Sequence, residues 1–296
     1  MLNRQPIFVN GFQRGGTNIL MRLLSSHPHV RILGAEIHEL FYGRETEGVK
    51  KWLRRVTYTP LFLTSGQHTF WPYRFHTRQP LPSVVGRYVD LLFYLYKQTA
   101  VNTTYMNGQG EPTWQEKRDA RIVCKCVNGV ALATPLFAHM YPDATFIALV
   151  RNGLALCEGF SRRGWSAQRF GRMYREIGSQ MLTDAQQRPN YHVVRFEELL
   201  AEPAATVKKV YELAGLTAAE TKKFKLQAKK SMGQDGKRHY TFGQQEKAII
   251  WSTIDELYKH LRQDVNDNQI ARLAETDKAA FLGEAHEVMT AFGYPT

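Results

Sequence analysis

Pro6-Ile-Phe-Val-Asn-Gly-Phe-Gln-Arg-Gly-Gly-Thr-Asn-Ile-Leu-Met-Arg-Leu-Leu24 runs an apolar strand into a glycine turn that carries one arginine and opens directly onto an amphipathic helix. Such a turn frees backbone N–H groups, and the helix behind it adds the positive end of its dipole. The junction therefore attracts an anion without requiring any particular side chain. Arg14 adds a full charge inside the loop. In a kinase-type phosphate loop, G-x-x-x-x-G-K-[ST], the lysine reaches the terminal phosphates and the hydroxyl holds magnesium. Here Gly11 and Gly16 keep the glycine spacing, but Thr17 stands in place of the lysine and Asn18 in place of the magnesium ligand. The cradle is kept and the metal chemistry is not.

Arg14-Gly-Gly-Thr-Asn18 closely resembles the 5′-phosphosulfate loop of sulfotransferases that use 3′-phosphoadenosine 5′-phosphosulfate (PAPS), written [KR]-[SG]-G-T-[TSN] after a strand. The resemblance implies that Gly15, Gly16, Thr17 and Asn18 hold the donor's 5′-phosphate and sulfuryl group. It also implies that Arg14 stabilises charge on the bridging oxygen as it leaves.

With 296 residues, the chain is long enough for a full core, and no linker divides it. It reads as one domain over 1–296. A 43% hydrophobic and 22% charged composition lies near the globular average, which excludes disordered and collagen-like chains. The formal net charge of +12 points to an anionic partner. The basic residues are spread along the chain rather than gathered into the stripe of a nucleic-acid binder, so a multiply charged nucleotide fits better. Three cysteines are too few for a disulfide framework, and their spacing is not that of a structural zinc site. With no leader pattern before Pro6 and no apolar run of membrane-spanning length, the expectation is a cytoplasmic enzyme without a membrane span.

Apolar strands at 7–10, 30–33, 122–127, 145–150 and 191–195 alternate with helical patterns at 16–26, 130–141, 153–163, 167–187, 197–214 and 218–229. This alternation predicts an α/β fold, a P-loop-type central parallel sheet flanked by helices. Ligands in such sheets bind beyond the carboxyl ends of the strands, where the Gly11 loop lies. Between residues 44 and 117 comes an aromatic-rich, largely helical insert, expected to shape an acceptor pocket.

A second anion site is expected after the strand Phe146-Ile-Ala-Leu-Val150. A magnesium-dependent kinase commonly places an aspartate there, whereas this chain has Arg151. The segment resembles the sulfotransferase 3′-phosphate motif R-[DN]-[PG]-x-x-x-x-x-S, which implies that Arg151 binds the donor's 3′-phosphate. Gly159 occupies the serine position, and Ser161 is the nearest hydroxyl. Val193-Val-Arg-Phe-Glu-Glu-Leu-Leu-Ala-Glu-Pro203, Leu213-Ala-Gly-Leu216 and the ending Met289-Thr-Ala-Phe-Gly-Tyr294 also resemble family segments. By the same resemblance, Lys237 and Arg238 in the basic loop 229–243 are expected to cover the nucleotide.

Sulfuryl transfer needs a base for the acceptor hydroxyl and cations for the departing oxygen, but no metal. Glu36 and His38 are both candidates for the base, and the family resemblance, which implies a glutamate in this segment, makes Glu36 the first choice and His38 the second. On an extended segment the two point to one side. Lys125 is an unusual charge among Ile122, Val123, Cys124 and Cys126, and the family resemblance implies that it partners Arg14 on the leaving oxygen. The expected reaction is transfer from PAPS to an acceptor hydroxyl, first a carbohydrate and second a phenol or lipid alcohol, releasing 3′,5′-adenosine bisphosphate. A magnesium-dependent nucleotide kinase and a non-catalytic polyanion-binding module are the alternatives.

Overall fold

The apolar run at the start of the chain forms β1 (Ile7–Gly11), with all five residues buried. A computed structural model describes residues 5–37, 49, 83–99, 113–229 and 247–296. After β1 come α1 (Thr17–Ser25), β2 (Val30–Glu36), α2 (Ser83–Thr99), α3 (Trp114–Asp119), β3 (Arg121–Val127), α4 (Thr134–Met140) and β4 (Thr145–Val150). Then follow α5 (Gly153–Ser161), α6 (Ala167–Gln187), β5 (Tyr191–Arg195), α7 (Phe196–Ala201), α8 (Pro203–Leu213), β6 (Phe224–Lys229), β7 (Lys247–Ser252), α9 (Val265–Ile270) and α10 (Glu275–Ala291).

Five strands pair in parallel in the order β2-β3-β1-β4-β5, so every strand delivers its carboxyl end to one edge. Side chains alternate across the sheet. Phe8, Ile122, Cys124, Phe146 and Ala148 face one core with α2, α4, α5, α6 and α10. Ile7, Val9, Val123, Ile147 and Leu149 face the other, with α1, α7 and α8. Phe8 stacks between Phe137 and Phe146 at centroid separations of 4.8 and 4.9 Å. Burying both faces is what lets a parallel sheet read as continuous apolar runs.

Two expected helices differ from the fold. The pattern at 197–214 divides into α7 and α8, because Pro203 opens a new helix and pushes Glu202 out of helical geometry (φ −131°, ψ 69°). The pattern at 218–229 shortens to one 3₁₀ turn, Ala218–Glu220, followed by β6, which pairs antiparallel with β7. Phe224 and Leu226 are buried at strand spacing, and the partner strand is supplied after residues 230–246.

Within 44–117, α2 packs its buried Val89 and Phe93 into the first core, with Phe93 stacked on Tyr141 at 5.8 Å. That face of the insert belongs to the core, while Leu91 and Leu95 are exposed. Phe70, Trp71, Tyr73 and Phe75 lie outside the described residues, as do His38, Lys237 and Arg238. Among the described residues no helix is long and apolar enough to cross a membrane.

Candidate active site at the carboxyl edge of the sheet

The turn between β1 and α1 is built by three devices. Gly15 N–H donates to the Phe12 carbonyl at 3.0 Å, and Gln13 N–H donates to Asn128 Oδ1 at 2.9 Å. Arg14 and Gly16 take left-handed backbone, φ 68° and 87°. At Gly16 a side chain is excluded twice over, since a Cβ there would stand 2.3 Å from Phe196 Cδ2. Among the described residues no side chain caps α1, and its first turn carries no acid. The Ile19 N–H turns back to the Gly16 carbonyl at 2.8 Å, while a helix's first N–H groups, here those of Thr17 and Asn18, lack carbonyls one turn earlier, so this end of α1 is suited to an anion. Arg14 and Asn18 are exposed, Gly15 and Thr17 are buried, and Gly16 is half-buried.

Glu36 ends β2 and Lys125 lies in β3. The pairing of these strands shifts register between Ile32 and Glu36, and the shift sets Glu36 opposite Lys125. Lys125 Nζ donates to Glu36 Oε1 at 2.8 Å, with the side chains 14% and 19% exposed. The lysine that looked anomalous in an apolar strand is thus paired with the first-choice base. Lys125 also registers with Val9, two rungs below the Gly11–Val127 pair. At about 3.3 Å per residue, the ion pair lies roughly 7 Å from the level of the loop.

Arg151, just beyond β4, is 5% exposed. Its Nη1 donates to the Arg14 carbonyl at 2.6 Å, its Nε to Asn266 Oδ1 at 2.8 Å and its Nη2 to Gln269 Oε1. The guanidinium also lies over the Phe196 ring, 4.9 Å from its centroid. Burial lowers its pKa to about 10, a shift that Glu197 and Glu158 partly offset, so it remains a cation at neutral pH. Asn152 caps α5 by accepting from Leu154 N–H at 2.9 Å.

Gly159 faces this same loop. A Cβ there would sit 3.9 Å from Arg14 Cγ and 3.9 Å from Gln269 Nε2. Ser161 lies about 200° further round the helix, with its Oγ 4.0 Å from Cys157 Sγ. The fold therefore brings Gly159, rather than Ser161, to the loop. Beside Gly159, the buried Glu158 receives Arg162 Nε at 2.8 Å, Arg272 Nε at 3.0 Å and Gln269 Nε2 at 3.0 Å. Burial pushes the Glu158 carboxyl up, but hydrogen bonds from Gln269 and Arg272 and the charge of Arg162 outweigh it and leave the pKa below the ordinary value.

The sequence reading missed Asn128, Phe196, Asn266 and Gln269. Asn128 had a local signal, because it follows a strand and asparagine tolerates the left-handed φ of 53° that it adopts here. Asn266 and Gln269 had none, since they reach Arg151 across 115 and 118 residues.

Residues 6–220 match the family described as "Sulfotransferase family". No curated protein matches the chain. Among solved structures, the fold is similar to the sulfotransferase domain from the Synechococcus PCC 7002 olefin synthase, at 15% identity and a TM-score of 0.51, covering 100% of this chain and 97% of that one. It is similar also to the sulfotransferase domain from the curacin biosynthetic pathway, at 13% identity and a TM-score of 0.51, covering 100% of this chain and 99% of that one.

Proposed function

Because the chain belongs to the sulfotransferase family, we propose that it transfers a sulfuryl group from PAPS to an acceptor hydroxyl, with a carbohydrate as the first candidate acceptor and a phenol or lipid alcohol as the second. The observation that carries this reading is the joining, at one sheet edge, of the uncapped end of α1 with the Glu36–Lys125 pair.

The cradle fits a phosphate-bearing donor. The backbone N–H groups from Gly16 to Asn18 would hold its 5′-phosphate, helped by the helix dipole and the charge of Arg14, while the Gly15 N–H, turned back to the Phe12 carbonyl, shapes the turn. Bound there, PAPS supplies an activated sulfuryl group with adenosine bisphosphate as the leaving group. Arg151 borders the cradle, and the motif it resembles gives it the 3′-phosphate.

Glu36 acts as the base, taking the proton of the acceptor hydroxyl as its oxygen bonds to sulfur. Lys125 holds the Glu36 carboxylate and, with Arg14, offers positive charge to the oxygen that departs. Preorganised charges of this kind contribute on the order of 3 kcal/mol each. None of these roles calls for a metal ligand. The localisation expected for such an enzyme is cytoplasmic.

Calorimetric titration tests the reading. Binding of 3′,5′-adenosine bisphosphate without magnesium, tighter than that of ADP or ATP, supports it. Preference for ATP with magnesium, or binding of polyanions with no preference for the bisphosphate, overturns it. Transfer of labelled sulfate from PAPS across a panel of sugars, phenols and alcohols then identifies the acceptor.

A further inference from the structure

Among the described residues, Arg151 meets no carboxylate directly. Asn266 accepts from Arg151 through Oδ1 and donates through Nδ2 to Glu197 Oε1. Gln269 accepts from Arg151 through Oε1 and donates through Nε2 to Glu158 Oε2. Each amide therefore stands between a group that only donates and a group that only accepts, which fixes its orientation without ambiguity. Glu197 is itself held by Asn152 N–H at 3.0 Å and by Tyr294 O–H at 2.7 Å. Glu158 is held by Arg162 and Arg272.

Among the described residues, the remaining hydrogen-bond partner of the guanidinium is the carbonyl of Arg14, a non-glycine residue in left-handed backbone. Such a residue persists only where its surroundings over-determine it. The surroundings here include, beside the hydrogen bonds of Gln13 and Gly15, Arg151 and the two amides of α9, a helix that lies beyond the residues matched by the family.

We infer that Asn266 and Gln269 are positioning residues for the phosphate-binding loop. They hold the Arg151 guanidinium at a fixed place, and its Nη1 in turn holds the Arg14 carbonyl so that the N–H groups of Gly16 to Asn18 stay turned toward the anion. Arg151 is then an anchor of the cradle, and losing the anchor weakens the grip on the 5′-phosphate. The nucleotide part of the test below rests on the donor reading given above; the hydrogen-exchange part does not.

The test compares wild type with Gln269→Ala, Asn266→Ala and Arg151→Lys, the last of which keeps a buried cation but cannot reach three acceptors. Hydrogen–deuterium exchange is followed in peptides covering residues 12–18, with α6 as the control for an intact fold. Faster exchange in 12–18 with α6 unchanged is expected in each variant. Unchanged exchange in 12–18 in the folded variants overturns the inference, whatever the chain binds.

Calorimetry with 5′-AMP and 3′,5′-adenosine bisphosphate supplies the second readout. Loss of the anchor should weaken 5′-AMP roughly tenfold, as for a hydrogen bond to a charged group, and the bisphosphate by at least that factor, since Arg151 is also the proposed ligand of its 3′-phosphate. Weakening of the bisphosphate alone would make Arg151 a ligand of the 3′-phosphate only and overturn the anchor. If wild type binds neither nucleotide, the donor reading fails while the exchange result still decides the anchor.

Discussion

Lys125 Nζ lies 2.8 Å from Glu36 Oε1 across a shifted rung of the β2–β3 pairing, so the proposed base and a cation of the proposed transfer site occupy one place. Such closeness means that the two residues should not act independently.

Glu36→Gln should lower turnover by about 10²–10⁴-fold, the usual worth of a general base, and leave adenosine bisphosphate binding essentially unchanged. Lys125→Met should lower turnover by about 10²–10³-fold. Since each residue orients the other, the double variant should lose less than the product of the two single losses. Steady-state rates with PAPS across this cycle measure the coupling, and strict multiplicativity would separate the two roles.

Gly16→Ala should destabilise the protein and abolish nucleotide binding. A left-handed φ of 87° costs an alanine about 1–3 kcal/mol, and the new Cβ would also run into the Phe196 ring at 2.3 Å. Adding Phe196→Ala removes the collision but not the backbone cost, so thermal melts should show partial recovery. Full recovery would assign the whole effect to the ring.

Asn128 is tested by two substitutions that separate its functions. Asn128→Gly keeps access to the left-handed φ of 53° and loses only the acceptor for Gln13 N–H. Asn128→Ala loses both. The glycine variant should cost about 1 kcal/mol, the net worth of one hydrogen bond at a half-buried donor, and the alanine variant should cost more. Equal denaturation midpoints would show that the backbone conformation carries no strain.

His27 makes stability depend on pH. It is 2% exposed, its Nε2 lies 3.5 Å from Glu220 Oε2, and the rings of His29 and Tyr211 stand against it. Burial, reinforced by His29 and opposed by Glu220, lowers its pKa below the ordinary 6.5. As pH falls through 6.5, the unfolded chain takes up this proton first. The His27 contribution is therefore constant above about pH 6.5 and declines below it, by up to about 1.4 kcal/mol per pH unit. His27→Asn should flatten the fall in thermal midpoint between neutral and mildly acid pH. An unaltered slope would remove His27 as its source.

How much of this was legible follows from distance along the chain. Strands, the glycine turn and the helix behind it are encoded by neighbouring residues, so Pro6–Leu24 announced both the sheet and the anion cradle. The strand at 145–150 and the helix at 167–187 read true to the residue. The break at Pro203 was also local, but the apolar spacing on both sides of it reads as one helix. The strand at 224–229 was not legible, because its partner is supplied by residues 247–252.

By itself the sequence determined the α/β class, the phosphate-loop motif and the choice of Arg14, Glu36, Lys125 and Arg151 as residues of interest. Tertiary structure alone decided what those residues touch. A register shift sets Lys125 against Glu36 across 89 residues, and α9 brings two amides to Arg151 across 115 and 118. Periodicity fixes which face a side chain takes within its own element. The path of the chain fixes which other element meets that face, and no local spacing carries that information.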